Sequence, residues 1–339
     1  MKYFIMFCVL ASFLTACRKN KKDKEKETAS DCLQTTFVNT NVNEQLLSVF
    51  FINGKEGFVG GYKGGIYKTT DSANTWTALN STVTLPVRDI CFIDNLKGFA
   101  VGGENSCGGT GCIPPGGFIV KTTDGGQNWT KVFTPSDKIE IAAIYFINNT
   151  TGFCAGDNVI FKTADGGQTW SEYKVNNLGG KMMDVLFTDA QHGYVVCTFD
   201  KIVKTSNGGL TWEVTTSNKE AGYYAVSSAE GSMYVSGQGK IIKSVNGGSS
   251  WSQLPNSPAD IFAIHFTDKN TGFAFGRGNY SGGDWGYSYG SIYCTDNGGA
   301  TWNGSADIKE VSLIQSVSFP TNHIGYAISM NKVIKIAAN

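Results

Sequence analysis

Six acidic or amide side chains recur in one setting along this 339-residue chain. Asp71, Asp124, Asp165, Asn207, Asn246 and Asn297 each precede a tryptophan by five positions, at Trp76, Trp129, Trp170, Trp212, Trp251 and Trp302. The fullest version is KTADGGQTW at 162–170, with KTTDGGQNW at 121–129 close behind. A carboxylate repeated in this way could be a general acid or base, a Ca²⁺ ligand or a turn residue. The copies discriminate between these roles. Half carry Asn, which has no proton to exchange and is a poor substitute for a charged Ca²⁺ ligand. Asn keeps the capacity to bond to nearby backbone and tolerates left-handed dihedrals. Asp-Gly and Asn-Gly are strong hairpin formers because the turn needs φ > 0, where Gly has no Cβ penalty. The residues therefore point to scaffold. The side chain is expected to accept a backbone N–H two residues on, closing an Asx turn. The Trp is expected to open the next strand with its ring buried and its N–H paired. The first copy replaces the second Gly with Ala73.

Other reactive types are sparse. Arginine occurs three times, at Arg18, Arg88 and Arg277. Asp89, Asp184 and Asp260 fall near starts of predicted inner strands, where a pair of carboxylates could serve glycoside hydrolysis; the plainer reading is solvated strand-end residues. His192 and His323 lie in polar turns and His265 stands alone in IFAIHF, so no metal-ligand spacing is present and no cofactor is expected. Cys91, Cys154, Cys197 and Cys294 fall on or beside apolar strands and read as small packed hydrophobes. Cys107 and Cys112, in SCGGTGC, are candidates for a local disulfide in an oxidising compartment, and Cys32 has no obvious partner.

The elements that must hold these residues are short. Apolar runs alternate with Gly, Asn and Asp clusters, and no long stretch has helical periodicity. Each unit reads as strand, polar turn (NNTTGF, DKNTGF and their like), strand, strand, boxed turn, strand. The Trp separations of 53, 41, 42, 39 and 51 residues indicate a repeat near 40 with two expanded units. Units open near Leu46, Val87, Ile141, Met182, Tyr223, Ile261 and Ile314. The predicted fold class is all-β, a seven-bladed β-propeller of four-stranded antiparallel blades. The last unit stops after three strands. CLQTTFV at 32–38 should supply its fourth, with Phe37 in the Trp position, closing the ring and removing a free edge.

The units resemble BNR/Asp-box repeats, and the pairing of GF-x-x-G with KT-x-DGG-x-TW is most similar to the propeller family of photosystem II assembly and stability factors. The resemblance covers about residues 46–339 and implies the fold. For function it implies a role in assembling a membrane complex, but the Arg-rich surface of that family has no counterpart here. Sialidases share the box, yet their arginine triad cannot be built from the two arginines outside the N-terminal segment, and Lys does not replace a bidentate clamp.

The N-terminus MKYFIMFCVLASFLTAC has a short apolar run and fits a signal peptide; LTAC resembles a bacterial lipobox, implying lipidation at Cys17. Residues 18–31 read as a charged disordered tether and 32–339 as the propeller. Beyond residue 30 the chain holds 21 basic and 25 acidic residues, which does not favour nucleic acid as a partner. Two inserts, 102–117 and 276–291, lie between second and third strands and should share the face opposite the boxes. The second carries Arg277, Tyr280, Asp284, Trp285, Tyr287 and Tyr289. This cluster reads either as a binding surface of aromatic anchors or as a loop plugging the mouth. The expected protein is a monomeric, lipid-anchored propeller of the bacterial cell envelope, facing the periplasm or exterior. It would bind a protein or glycan there as a binding or assembly module. The alternative is a glycan-binding protein or a polysaccharide-directed glycoside hydrolase.

Overall fold

The computed structural model describes residues 28–30, 33–104, 116–176, 178–217, 221–281 and 287–338. Among them are seven antiparallel sheets, each strand pairing with its chain neighbour. The first strands of the blades are Leu46–Phe51, Val87–Phe92, Ile141–Phe146, Met182–Phe187, Tyr223–Ala229, Ile261–Phe266 and Ser316–Thr321. They meet one another in sequence around the axis, and the seventh returns to the first. This is the predicted seven-bladed propeller. Six openings coincide with the sequence reading; the seventh strand opens at Ser316, and Ile314 is instead buried ahead of it.

Leu33–Asn39 pairs antiparallel with Lys332–Ala338 and completes blade 7. Phe37 packs into the core between blades 6 and 7, where the preceding blades put a Trp. One detail departs from the expected tether: Thr28–Ser30 pairs with Leu33–Thr35 and adds a fifth strand.

Each of the seven apolar clusters straddles two neighbouring blades, so the core is a ring of interfaces. At six of them an aromatic on the second strand of one blade stacks on an aromatic at or near the end of the first strand of the next. Examples are Phe58 on Phe92 at 4.3 Å, Phe99 on Phe146 at 4.5 Å and Phe153 on Phe187 at 4.2 Å. The box Trp approaches the stack edge-on, as Trp212 does to Phe153 and Phe187, the geometry favoured by ring quadrupoles. The expected partner for its N–H is absent. Among the described residues none of the six indole nitrogens has a hydrogen-bond acceptor, because the ring is inserted among carbon atoms.

The box works as a scaffold, over a longer reach than two residues. Asp165 Oδ1 accepts from the backbone of Gln168 and Thr169 at 2.9 and 3.0 Å, and Oδ2 from the Thr169 hydroxyl at 2.6 Å. Thr163 Oγ1 donates to Asp165 and accepts from Gly167 N at 2.9 Å. In the amide copies Asn207 Oδ1 still accepts from Thr211 N, at 3.0 Å, while its Nδ2 donates to the Thr211 hydroxyl. A hydroxyl reverses roles freely, so Asp and Asn are interchangeable here.

The other box positions fasten blade to blade. Lys68, Lys121 and Lys162 each reach a glycine carbonyl in the next box, at 3.0, 2.7 and 2.7 Å. In four boxes the second Gly lies on the aromatic of the preceding blade. At Gly167, φ is +78° and an added Cβ would stand 2.4 Å from Phe99 Cε1. Gly167→Ala is expected to destabilise by about 2–4 kcal/mol, combining left-handed strain with overpacking, whereas Asp165→Asn should leave the melting temperature nearly unchanged. Equal melting temperatures for the two variants would contradict this division of labour.

The sixth box begins with Cys294 in place of Lys, at the interface whose next blade has no box. Cys294 is disulfide-bonded, which corrects its reading as a packed thiol; Cys91, Cys154 and Cys197 are free. Its partner lies outside the described residues, as do Cys17, Cys32, Cys107 and Cys112. Leu33 packs in the same cluster as Cys294. Non-reducing peptide mapping is therefore expected to recover Cys294 joined to Cys32, a covalent replacement for the missing Lys-to-box fastener. Recovery of Cys294 joined to Cys107 or Cys112 would overturn that pairing.

Candidate functional site

The first strands of six blades carry one β-bulge at the same place, just after their opening residue. The extra residues are Leu47, Arg88, Ala142, Met183, Tyr224 and Phe262. A bulge re-aims its side chain, and these six line a cavity of about 400 Å³ at one end of the axis, with Glu104, Glu140, Asp157, Lys181, Leu313 and Gln315. This mouth lies on the face of the inserts. Arg88 Nε is 2.7 Å from Glu140 Oε1, and Lys181 Nζ is 3.5 Å from Glu140 Oε2. Phe262 stacks on Tyr224 at 4.3 Å, and the Arg277 guanidinium lies 5.9 Å over the Phe262 ring. Arg277 also pairs with Asp260 at 3.4 Å.

Behind the mouth, all seven first strands line an axial channel of about 320 Å³. Asp89 and Asp184 face it and are not freely solvated. Asp89 accepts from Ile90 N at 2.8 Å and, across the blade boundary, from Ile144 N at 2.9 Å. Asp184 does the same with Val185 N and Val226 N, at 2.8 and 2.9 Å. Burial pushes both carboxyls up to about 7, and the charge of Asp184 adds to the rise at Asp89. Burial also pushes His265 down to about 4; its ring stacks on Phe319 at 4.6 Å. The carboxylates clip blade 2 to blade 3 and blade 4 to blade 5. Asp260 stays on the rim, apart from this pair. Among the described residues no group of three or more His, Cys, Asp or Glu is placed to hold a metal.

The insert of blade 6 is a hairpin arm rather than a loop. Its strands, Gly272–Ser281 and Tyr287–Thr295, outrun those of most other blades, pairing Arg277 with Gly290, Tyr280 with Ser288 and Ser281 with Tyr287. Arg277 lies at its base and Tyr289 is half-buried beside it. The tip, with Asp284 and Trp285, lies outside the described residues.

One surface residue escaped the sequence reading. Phe199, in the turn joining the second and third strands of blade 4, is 71% exposed on the insert face. It has φ +60° and Asp200 φ +59°, a conformation that bulky residues rarely adopt. It borders a groove of about 640 Å³ with Asp157, Asn158, Gly179, Gly180, Lys181, Thr198, Gly222 and Gln238. The available signal was an aromatic in a three-residue hairpin turn, Thr198–Asp200, at a left-handed position where Asn and Gly prevail.

The architecture and the recurring box define a seven-bladed Asp-box propeller. Residues 176–317, from blade 4 into blade 7, match the family model described as "Photosynthesis system II assembly factor YCF48". Among solved structures, "YCF48 bound to D1 peptide" is similar at 17% identity and TM-score 0.68, covering 90% of this chain and 97% of that one. YCF48 from Cyanidioschyzon merolae is similar at 15% and 0.68, covering 89% and 98%. A streptogramin B lyase reaches 14% and 0.70, covering 91% and 98%. At these identities the likeness is one of fold. No curated protein matches the chain.

Proposed function

We propose that this chain is a membrane-anchored, extracytoplasmic propeller whose insert face binds a protein partner, acting as an assembly module. The observation that carries the reading is the match of residues 176–317 to the assembly-factor family, together with the similar YCF48 structure that holds a peptide. The insert face supports it, offering an apolar and charged mouth flanked by a hairpin arm. The anchor rests on the lipobox-like LTAC at Cys17; among the described residues no helix is long and apolar enough to cross a membrane. Cys17→Ser is expected to abolish lipid labelling and release the chain from membranes. Unchanged retention with no lipid on the wild type would sink the anchor.

The partner class is tested by cross-linked capture from envelope fractions, run beside a glycan array. Capture of a protein that is lost on truncating the hairpin arm or on Arg277→Ala supports the reading. Glycan binding with turnover would replace it with the hydrolase alternative.

A further inference from the structure

We propose that the groove beside Phe199 is the docking site for an extended polypeptide segment with an apolar side chain over Phe199 and a basic side chain toward the mouth. The proposal rests on the insert-face reading and names the partner's chemistry.

Phe199 is presented by a built device. Its strained turn is pinned through Asp200, whose N–H donates to the Ala221 carbonyl at 2.8 Å. The Asp200 carboxylate accepts from Ser217 N at 3.2 Å, from the Tyr223 hydroxyl at 3.0 Å and from the Ser217 hydroxyl. Unfavourable dihedrals persist only where the surroundings over-determine them, and they cluster at binding sites. Here the network fixes an aromatic in solvent, contrary to what burial would favour.

The groove favours a peptide for two reasons. The main-chain groups of Gly179, Gly180 and Phe199 have no hydrogen-bond partner among the described residues. A Cβ added at Gly179, at φ +72°, would meet nothing within 4 Å among the described residues, so this side of the backbone is open to another chain. Extended peptides are held by such main-chain bonds, with side-chain pockets giving selectivity. Charge supplies the second reason. The groove runs into the mouth through Asp157 and Lys181, which border both. The mouth sets Glu104, Glu140 and Asp157 against Arg88 and Lys181. This balance selects a basic side chain and repels an acidic one.

The test uses the full chain and labelled 12-residue peptides in fluorescence anisotropy. One peptide is Leu/Val-rich with two Arg; a second has Glu for Arg, and a third Gly for the apolar residues. A neutral β-linked hexasaccharide is the fourth probe. The Arg peptide is expected to bind at least tenfold more tightly than the Glu and Gly peptides. Phe199→Ala should weaken it at least tenfold with the melting temperature unchanged, and Glu104→Gln with Asp157→Asn should narrow the preference for Arg over Glu. Equal binding of the Arg and Glu peptides, indifference to Phe199→Ala, or saccharide binding that depends on Phe199 would each overturn the proposal. Envelope capture separates the two levels. If Phe199→Ala and the Arg peptide spare capture while loss of the hairpin arm abolishes it, the groove proposal fails and the insert-face reading stands. If no insert-face variant affects capture, both fall.

Discussion

A chain that begins at residue 40 is expected to lose its cooperative melting transition, whereas one that begins at residue 28 should melt close to the full-length protein. The larger deletion removes seven registered pairs, from Leu33 opposite Ala338 to Asn39 opposite Lys332. Leu33 is 3% exposed and Thr35 1%, and Phe37 packs on the same core. Burying the side chains of Leu33, Phe37 and Val38 contributes roughly 5 kcal/mol. Their removal also bares Ile334 and Ile336 and leaves a free sheet edge. A loss of that size approaches the whole stability of an ordinary domain, about 5–15 kcal/mol. Matching melting temperatures for the two truncations, measured by calorimetry, would refute closure by this strand.

The second large effect is in pH. Asp89 and Asp184 have folded values near 7, against an unfolded value near 4. Between those limits the folded chain binds more protons than the unfolded chain, so the carboxyls' contribution to stability is full below about 4 and is lost as pH rises through 7. Each could cost up to about 4 kcal/mol by pH 8. His265 has the opposite sign. Its depressed value means the unfolded chain binds the extra proton from about 4 to 6.5, so stability rises with pH there. The difference between wild type and Asp89→Asn/Asp184→Asn cancels the histidine. That difference should change steadily from pH 4 to pH 8, with the single variants about halfway. The amide sacrifices one acceptor toward Ile144 or Val226, a constant offset rather than a slope. A pH-independent difference would show that the carboxyls titrate as ordinary surface groups.

Most of the scaffold was legible in the chain. Period, box and turn signals are local, and blade openings such as Val87, Ile141 and Met182 fall where the apolar runs begin. The site was less legible because it arises between strands. Nothing in VRDICF or YYAVSS marks Arg88 and Tyr224 as bulge residues, since a bulge is a mismatch in count between two partners. Asp89 resembled a solvated strand end because its acceptor role depends on Ile144, 55 positions away. Cys294 passed for a packed thiol, although alignment of the six boxes shows it alone in the lysine position. Phe199 could have been found by asking why an aromatic occupies a turn made for Asn and Gly.

The shared seventh blade also sets an order of events. Leu33–Asn39 precedes blades 1 to 6 in the chain, yet its hydrogen-bonding partner is the closing strand of blade 7, Lys332–Ala338. About 290 residues separate the two strands, and the first keeps an open edge until the second reaches it. Once the chain is exported as proposed, blades 1 to 6 can form as local hairpin sheets, but the ring becomes continuous only when Lys332–Ala338 docks on Leu33–Asn39. Closure is thus a late, long-range step. A chain stalled or clipped in its final unit would be an open arc with exposed edges at both ends, a form that quality-control proteases and holding chaperones are suited to capture.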